Sequence, residues 1–232
     1  MTEKAPVIAV DGPSGSGKGV VATHLAEKYT FHLLDSGALY RLVGVAARQA
    51  GIDLDAESLD EGRLGDLAFR LDVAFEPTGD PEDPLILRLS GENVTDRVRS
   101  DAAGVDASRV AAIQRVRDSL FALQQSFRRE PGLVADGRDM GTVVFPDADV
   151  KIYLTASAEA RAERRYNQLK HKDIGVSLHD LFHSIQARDE RDMSREASPL
   201  RPADDAYVID STDMTIEEVL DNVLALVTEK LF

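Results

Sequence analysis

Eight residues near the start of the chain, Gly12-Pro13-Ser14-Gly15-Ser16-Gly17-Lys18-Gly19, are of types that can hold an anion. Glycine accepts the backbone dihedrals at which several N–H groups turn toward one centre, and the lysine adds a full positive charge. A second constellation lies far along the chain. Arg188, Arg191 and Arg195 fall within about 60° of one another at the roughly 100° per residue of an α-helix. Asp189, Asp192 and Glu196 fall beside that wedge. Three guanidinium groups in one narrow wedge repel one another unless an anion sits between them; a solvated face laced with i,i+3 and i,i+4 ion pairs is the plainer alternative. Arg161, Arg164 and Arg165 form a further basic cluster, and Arg41 stands five positions after Ser36. Cations gathered on separate segments point to phosphate chemistry.

These residues need a scaffold that brings them together. Val7-Ile8-Ala9-Val10 is an unbroken apolar run, the pattern of a strand buried on both faces, and Val20 to Tyr29 has helical periodicity. Strand, glycine-rich loop, lysine and helix in that order make a P-loop, in which the helix start adds free N–H donors and a positive dipole end. Further strands are expected at His32–Asp35, Leu133–Ala135, Val150–Leu154 and Ala206–Asp210. Helices are expected at Ala38–Ala50, Asp55–Arg70, Val105–Arg129, Ser157–Leu169 and Ser177–Glu196, the last with Ser177 as N-cap. A final helix opens on the capping box Thr215-x-x-Glu218. This alternation predicts an α/β fold: a five-stranded parallel sheet covered by helices on both faces. Asp11 to Lys18, Asp35-Ser36, Asp136 to Asp139 and Asp210-Ser211 then fall at the carboxyl ends of strands, where such sheets bind ligands. Residues 71–99, with a turn over Pro77 to Pro84, read as a small antiparallel insertion. Residues 161–176, basic and then polar with Gly175 near the end, read as a mobile lid that brings cations over phosphates. All lie within one expected domain, 1–232.

Composition narrows the function classes. At 232 residues and 43% hydrophobic content the chain can bury a sizeable core. It has no cysteine, which excludes disulfides, thiolate metal sites and cysteine nucleophiles. No apolar run approaches the roughly 18 residues of a membrane span, and Met1 to Pro6 lack an apolar signal region, so a cytoplasmic protein without a membrane partner is expected. The formal net charge is −14. That argues against a nucleic-acid polymer, whose affinity rests on phosphate contacts, but not against a small phosphate ligand, which responds to local charge. No Asn-Lys-x-Asp supports a hydrolytic GTPase, and no Gly-x-Ser-x-Gly supports a serine hydrolase. His24, His32, His171, His179 and His183 lack metal-ligand companions, so no metal held directly by protein is expected.

Taken together, Asp11–Gly19 (DGPSGSGKG), Leu34–Arg41 (LDSGALYR), Ala135–Pro146 (ADGRDMGTVVFP) and Arg188–Arg195 resemble the bacterial cytidylate kinases, in the nucleoside monophosphate kinase group. The resemblance covers nearly the whole chain, including the insertion. It implies a P-loop kinase fold and transfer of a phosphoryl group from ATP to CMP or dCMP. It puts ATP at Gly12, Pro13, Ser14, Gly15, Ser16, Gly17, Lys18, Gly19 and Val20, with Arg161 and Arg165 from the lid. Ser36, Arg41, Arg138 and Arg188 would surround the CMP phosphate; Ser108, Arg117 and Asp139 would read cytosine; Asp192 would take a ribose hydroxyl. Lys18, Arg138, Arg188 and Arg195 would serve the transferred phosphoryl group. The family expectation is a monomer with Mg²⁺ held mainly by ATP phosphates and water.

One departure stands out. The kinase group usually carries threonine after Lys-Gly, and this chain has Val20. Two other readings share part of the pattern. A uridylate or shikimate kinase shares the P-loop and differs at the acceptor site. A non-catalytic nucleotide-gated module would keep Lys18 and need none of Arg41, Arg138, Arg188 and Arg195.

Overall fold

Val7, Ile8, Ala9 and Val10 are wholly buried, as a run without alternation requires of a strand covered on both faces. The computed structural model describes residues 4–78, 85–170 and 177–231. In chain order its elements are β1 (Val7–Asp11), α1 (Lys18–Tyr29), β2 (His32–Asp35), α2 (Ser36–Gln49), α3 (Glu61–Phe69), β3 (Val73–Pro77), β4 (Leu85–Leu89) and β5 (Glu92–Asn93). There follow α4 (Thr95–Arg99), α5 (Asp101–Val110), α6 (Gln114–Gln125), β6 (Leu133–Gly137), a π-helical turn (Met140–Val144) and β7 (Val150–Thr155). The chain closes with α7 (Ala158–Lys170), α8 (Leu178–Ser194), β8 (Tyr207–Asp210) and α9 (Ile216–Leu231). Two compact units result: Met1–Asp35 with Gln124–Phe232, and Ser36–Leu123.

The first unit holds the five-stranded sheet, all parallel, in the order β2-β6-β1-β7-β8. Its register aligns the strand ends: Asp11 pairs with Gly137 and Asp35 with Asp136. Ile8, Val10, Val134, Ile152 and Leu154 pack with Val21, Ala22 and Leu25 of α1 and with Val219, Val223 and Val227 of α9. Each of the valine, leucine and isoleucine side chains contributes roughly 1.5–3 kcal/mol on burial. Both halves of the capping box are made at the start of α9, Thr215 N to Glu218 Oε2 at 2.8 Å and Glu218 N to Thr215 Oγ1 at 3.2 Å. Ser177 caps α8 by accepting from Asp180 N.

The second unit holds the antiparallel sheet β3-β4-β5. Leu87 and Leu89 of β4 face Leu42 and Val45 of α2, Val98 of α4 and Ala103 of α5. Asp106 of α5 is buried and receives Arg48 of α2 through two hydrogen bonds, at 3.0 and 2.7 Å. The α/β class, the parallel sheet and the small antiparallel insertion all stand as expected from sequence.

Two helices differ from expectation. The span 105–129 is not one helix. The apolar stripe Val110, Ile113, Val116, Leu120 is buried as expected, but α5 ends at Val110 in bonds of 3₁₀ type, Ala112 N to Arg109 O and Ile113 N to Val110 O. Arg117 Nη1 then donates to the Ala111 carbonyl at 3.3 Å. The other helix starts late: Asp60 caps α3 by accepting from Arg63 N at 2.9 Å. Part of the expected turn, 79–84, and the end of the expected lid, 171–176, lie outside the described residues. Among the described residues no helix is long and apolar enough to cross a membrane.

Candidate active site

The glycine-rich loop joins β1 to α1. Gly12 has φ 149°, and a Cβ there would lie 2.0 Å from the Leu154 carbonyl oxygen of β7, so only glycine lets the loop leave the sheet. Gly15 and Gly17 have φ of 79° and 94°, and Gly17 stands as the residue before α1. Lys18, 7% exposed, folds back to donate to the Pro13 carbonyl at 3.0 Å. Ser16 Oγ is buried and has no hydrogen-bond partner among the described residues, which leaves its O–H as a donor of the kind an anion accepts from. Val20 is 55% exposed.

Helices α7 and α8 pack on each other and reach the loop. Arg188 Nη1 donates to Ser14 Oγ at 3.1 Å. Arg161, 4% exposed, points to protein acceptors: Nη1 and Nη2 fork onto Asp189 at 3.0 and 2.5 Å, Nε donates to Ala156 O at 2.9 Å, and Nη1 to Ser14 O at 3.1 Å. Arg164 grips Ser211 through its hydroxyl and its carbonyl, and Arg165 is half-buried on the same helix. Arg138, beyond the end of β6, donates from Nε to Asp192 of α8 at 3.2 Å. Arg195 Nε donates to Ser198 O at 2.7 Å. Two of the three acids beside the expected arginine wedge are therefore in use, Asp189 and Asp192 each holding an arginine of another segment, while Arg195 follows the last residue of α8 in extended backbone rather than on the helix as expected.

The strand ends carry the electrostatics. Burial first, and then the charges of Arg138 and Arg188, pull the Lys18 ammonium down to about 8, with Asp136 and Asp35 opposing. Burial pushes the Asp136 carboxyl up to about 6, Asp35 adds to the rise, and Lys18 and Arg138 oppose it. A Cβ on Gly19 would lie 3.5 Å from Asp136 Oδ2. Asp11 is pushed up to about 7 by burial although it accepts from Met140 N and Gly141 N, both at 2.8 Å. Those two bonds tie the end of β1 to the π-helical turn that follows Asp139, which is itself buried.

A pH dependence follows. A carboxyl raised in the folded state contributes stability that is fully present below its unfolded value, about 3.9, and is lost as pH rises through the folded one. For Asp11 and Asp136 that window runs from about 4 to about 7. Asp55, held down to about 2 by Arg48 and Arg109, changes only below it. The melting temperature of the empty protein therefore falls between pH 4.5 and 7.5, and the fall is smaller in Asp11→Asn. A flat profile in the parent protein would disprove the assignment.

The second unit holds the remaining predicted residues. Ser36 and Ser108 are buried. Arg41 Nη1 donates to Val98 O at 2.8 Å and Ser100 O at 3.0 Å. Arg117, 5% exposed, lies over the Tyr40 ring at 5.6 Å. Sequence reasoning did not single out Asp11 or Asp189, nor the π-helical turn. Asp11, Asp35 and Asp136 stood in the sequence as polar strand ends and motif residues without an assigned role.

Among known proteins, the cytidylate kinase family model matches residues 8–229. The chain is 56% identical over 225 residues, 97% of its own length and 96% of the relative's, to a cytidylate kinase from Pseudomonas savastanoi pv. phaseolicola. It is 52% identical over 231 residues to one from Photobacterium profundum, covering 100% and 98% of the two chains. Identity to one from Colwellia psychrerythraea is 52% over 231 residues, covering 100% of each. A match that begins in β1 and ends in α9 spans the P-loop, the arginine helices and the antiparallel insertion alike, and on it the chain belongs to the cytidylate kinase family.

Proposed function

We propose that this chain transfers the terminal phosphoryl group of ATP to CMP or dCMP, giving ADP and CDP or dCDP. Family membership supports the reaction. Within the molecule the supporting observation is electrostatic: Lys18, Arg138 and Arg188 converge closely enough for both arginines to depress the lysine, in a chain of net charge −14. Mutually repelling cations held at strand ends make a site for an anion.

In this reading the loop from Gly12 to Val20 takes the donor phosphates, and Arg165 approaches ATP from α7. A phosphate oxygen of CMP attacks the γ-phosphorus. The bond from that phosphorus to the β,γ-bridging oxygen breaks, and ADP leaves with the electron pair. The nucleophile is already an anionic oxygen, so no general base is required. The transition state is loose and spreads charge over the equatorial oxygens, so Lys18, Arg138, Arg188 and Arg195 act by positioning and neutralisation. To Ser36 and Arg41 the reading assigns the CMP phosphate, to Asp192 a ribose hydroxyl, and to Ser108, Arg117 and Asp139 the base. A carboxylate accepts from the cytosine amino group and a guanidinium donates to its N3 or O2. Uracil has an oxygen in place of that amino group, which an ionised Asp139 repels. Mg²⁺, when bound, neutralises the donor phosphates. Asp136 beside Gly19, with Asp35 across the β2–β6 ladder, would hold it through water, and Val20 offers it nothing. The reading also has the enzyme act as a monomer in the cytoplasm, which suits a chain without cysteine.

The test is an acceptor panel of CMP, dCMP, UMP, AMP and shikimate with ATP and Mg²⁺, read by ADP formation. CMP or dCMP is expected to be the best acceptor. A preference for UMP sinks the base assignment, and no ADP with any acceptor sinks the enzyme reading.

Phosphate binding also takes up a proton. Lys18 titrates near 8 in the empty protein, and a bound triphosphate raises it. ATP affinity therefore falls above pH 8. At pH 8.5 the binding heat differs between two buffers of different ionisation enthalpy. Equal heats in the two buffers would exclude Lys18 as the group that meets the phosphates.

A further inference from the structure

The geometry points to the Arg161–Asp189 pair as a latch that sets the shape of the phosphate-binding loop, with Arg161 a positioning residue rather than a contact to ATP. The inference rests on the proposal that this loop holds a triphosphate. Arg161 belongs to α7 and Asp189 to α8, and the pair is forked, with both oxygens of the carboxylate engaged at 3.0 and 2.5 Å. Both residues are buried, Arg161 at 4% and Asp189 at 9% exposure. The Nε donor is taken by Ala156 O, at 2.9 Å, at the foot of α7.

The remaining reach of the guanidinium is onto the loop. Nη1 donates to the Ser14 carbonyl at 3.1 Å, and the aliphatic stem of Arg161 lies 3.5–3.9 Å from where a Gly15 Cβ would stand. The neighbour of Asp189 on α8, Arg188, donates to the Ser14 hydroxyl at 3.1 Å. Two successive residues of α8 thus fix one loop residue from two directions, one of them by way of Arg161. The crest of the loop is otherwise built for freedom, with positive φ at Gly15 and Gly17. A loop whose N–H groups must converge on phosphate needs its conformation chosen before the ligand arrives, and errors of about 1 Å cost roughly 100-fold. A forked arginine–carboxylate pair in a buried setting supplies that choice, because it has one geometry and lysine cannot reproduce it.

The experiment measures binding of ATP, of inorganic tripolyphosphate and of CMP, by calorimetry, to Arg161→Lys, Asp189→Asn and the double variant. The latch predicts that each single variant weakens ATP and tripolyphosphate together by roughly 10- to 100-fold. The double variant is no worse than the worse single one, since the two residues act as one unit. CMP affinity stays within about threefold, which also reports that the variants are folded. If Arg161→Lys loses ATP but keeps tripolyphosphate, or if Asp189→Asn binds both normally, Arg161 is a direct ligand and the latch is wrong. Equal losses of CMP and ATP, together with a fall in melting temperature, would make the pair a plain stabilising contact and would equally overturn it. Failure of the parent protein to bind ATP or tripolyphosphate would instead refute the functional proposal on which the latch rests.

Discussion

Lys18→Met lowers turnover by at least about 10³-fold and leaves the empty protein as stable as before, or more so. The two effects have one cause. Lys18 is 7% exposed, and burial with Arg138 and Arg188 holds its ammonium down to about 8 from the usual 10.5. At neutral pH the folded, empty protein therefore carries a charge that burial and the two arginines disfavour. Methionine removes that cost and forfeits the bond to the Pro13 carbonyl, worth about 1 kcal/mol. The melting temperature of the empty variant is therefore expected to hold or rise. When the phosphates are present the sign reverses, because the charge of Lys18 then meets its counter-charge. Steady-state turnover and thermal unfolding check both halves. Turnover within tenfold of the parent would remove Lys18 from the chemistry.

Arg188→Ala lowers turnover by roughly 10³–10⁵-fold, the range of an arginine that stabilises a transferring phosphoryl group. Arg188 touches the loop at Ser14 Oγ and acts on Lys18 through its charge, which in the proposed reaction puts it beside the transferred group. Arg188→Lys keeps the charge and loses the fork, and turnover still falls by roughly 100-fold. Single-turnover measurement with saturating ATP and CMP separates this from weaker binding. If both variants change only the substrate affinities, Arg188 binds ground states and does not serve the transferred group.

The P-loop was readable in sequence because its parts are consecutive and local: an apolar run that must be a buried strand, glycines at three positive-φ positions, a lysine and a helix start. The capping box of α9 and the N-cap of α8 were readable for the same reason. The broken helix was not. Its apolar stripe continues in phase through Val110, Ile113 and Val116, and what marks the end of α5, the 3₁₀-type bonds of Ala112 and Ile113 and the reach of Arg117 to the Ala111 carbonyl, leaves no trace in that spacing. Nor was the part played by the acids of α8. Counting 100° per residue places Asp189 and Asp192 beside the arginine wedge, but their partners lie 28 and 54 positions away, at Arg161 and Arg138.

The sequence alone thus determined the glycine-rich loop, the α/β class and, through four motif segments, the family likeness, since each depends on neighbours along the chain. The tertiary structure decided which charge each charge serves. Burial, not residue type, brings Lys18 down and Asp11 and Asp136 up, and Asp189 of the next helix receives Arg161. Desolvation and pairing are properties of what surrounds a group in space, and no spacing along the chain records them.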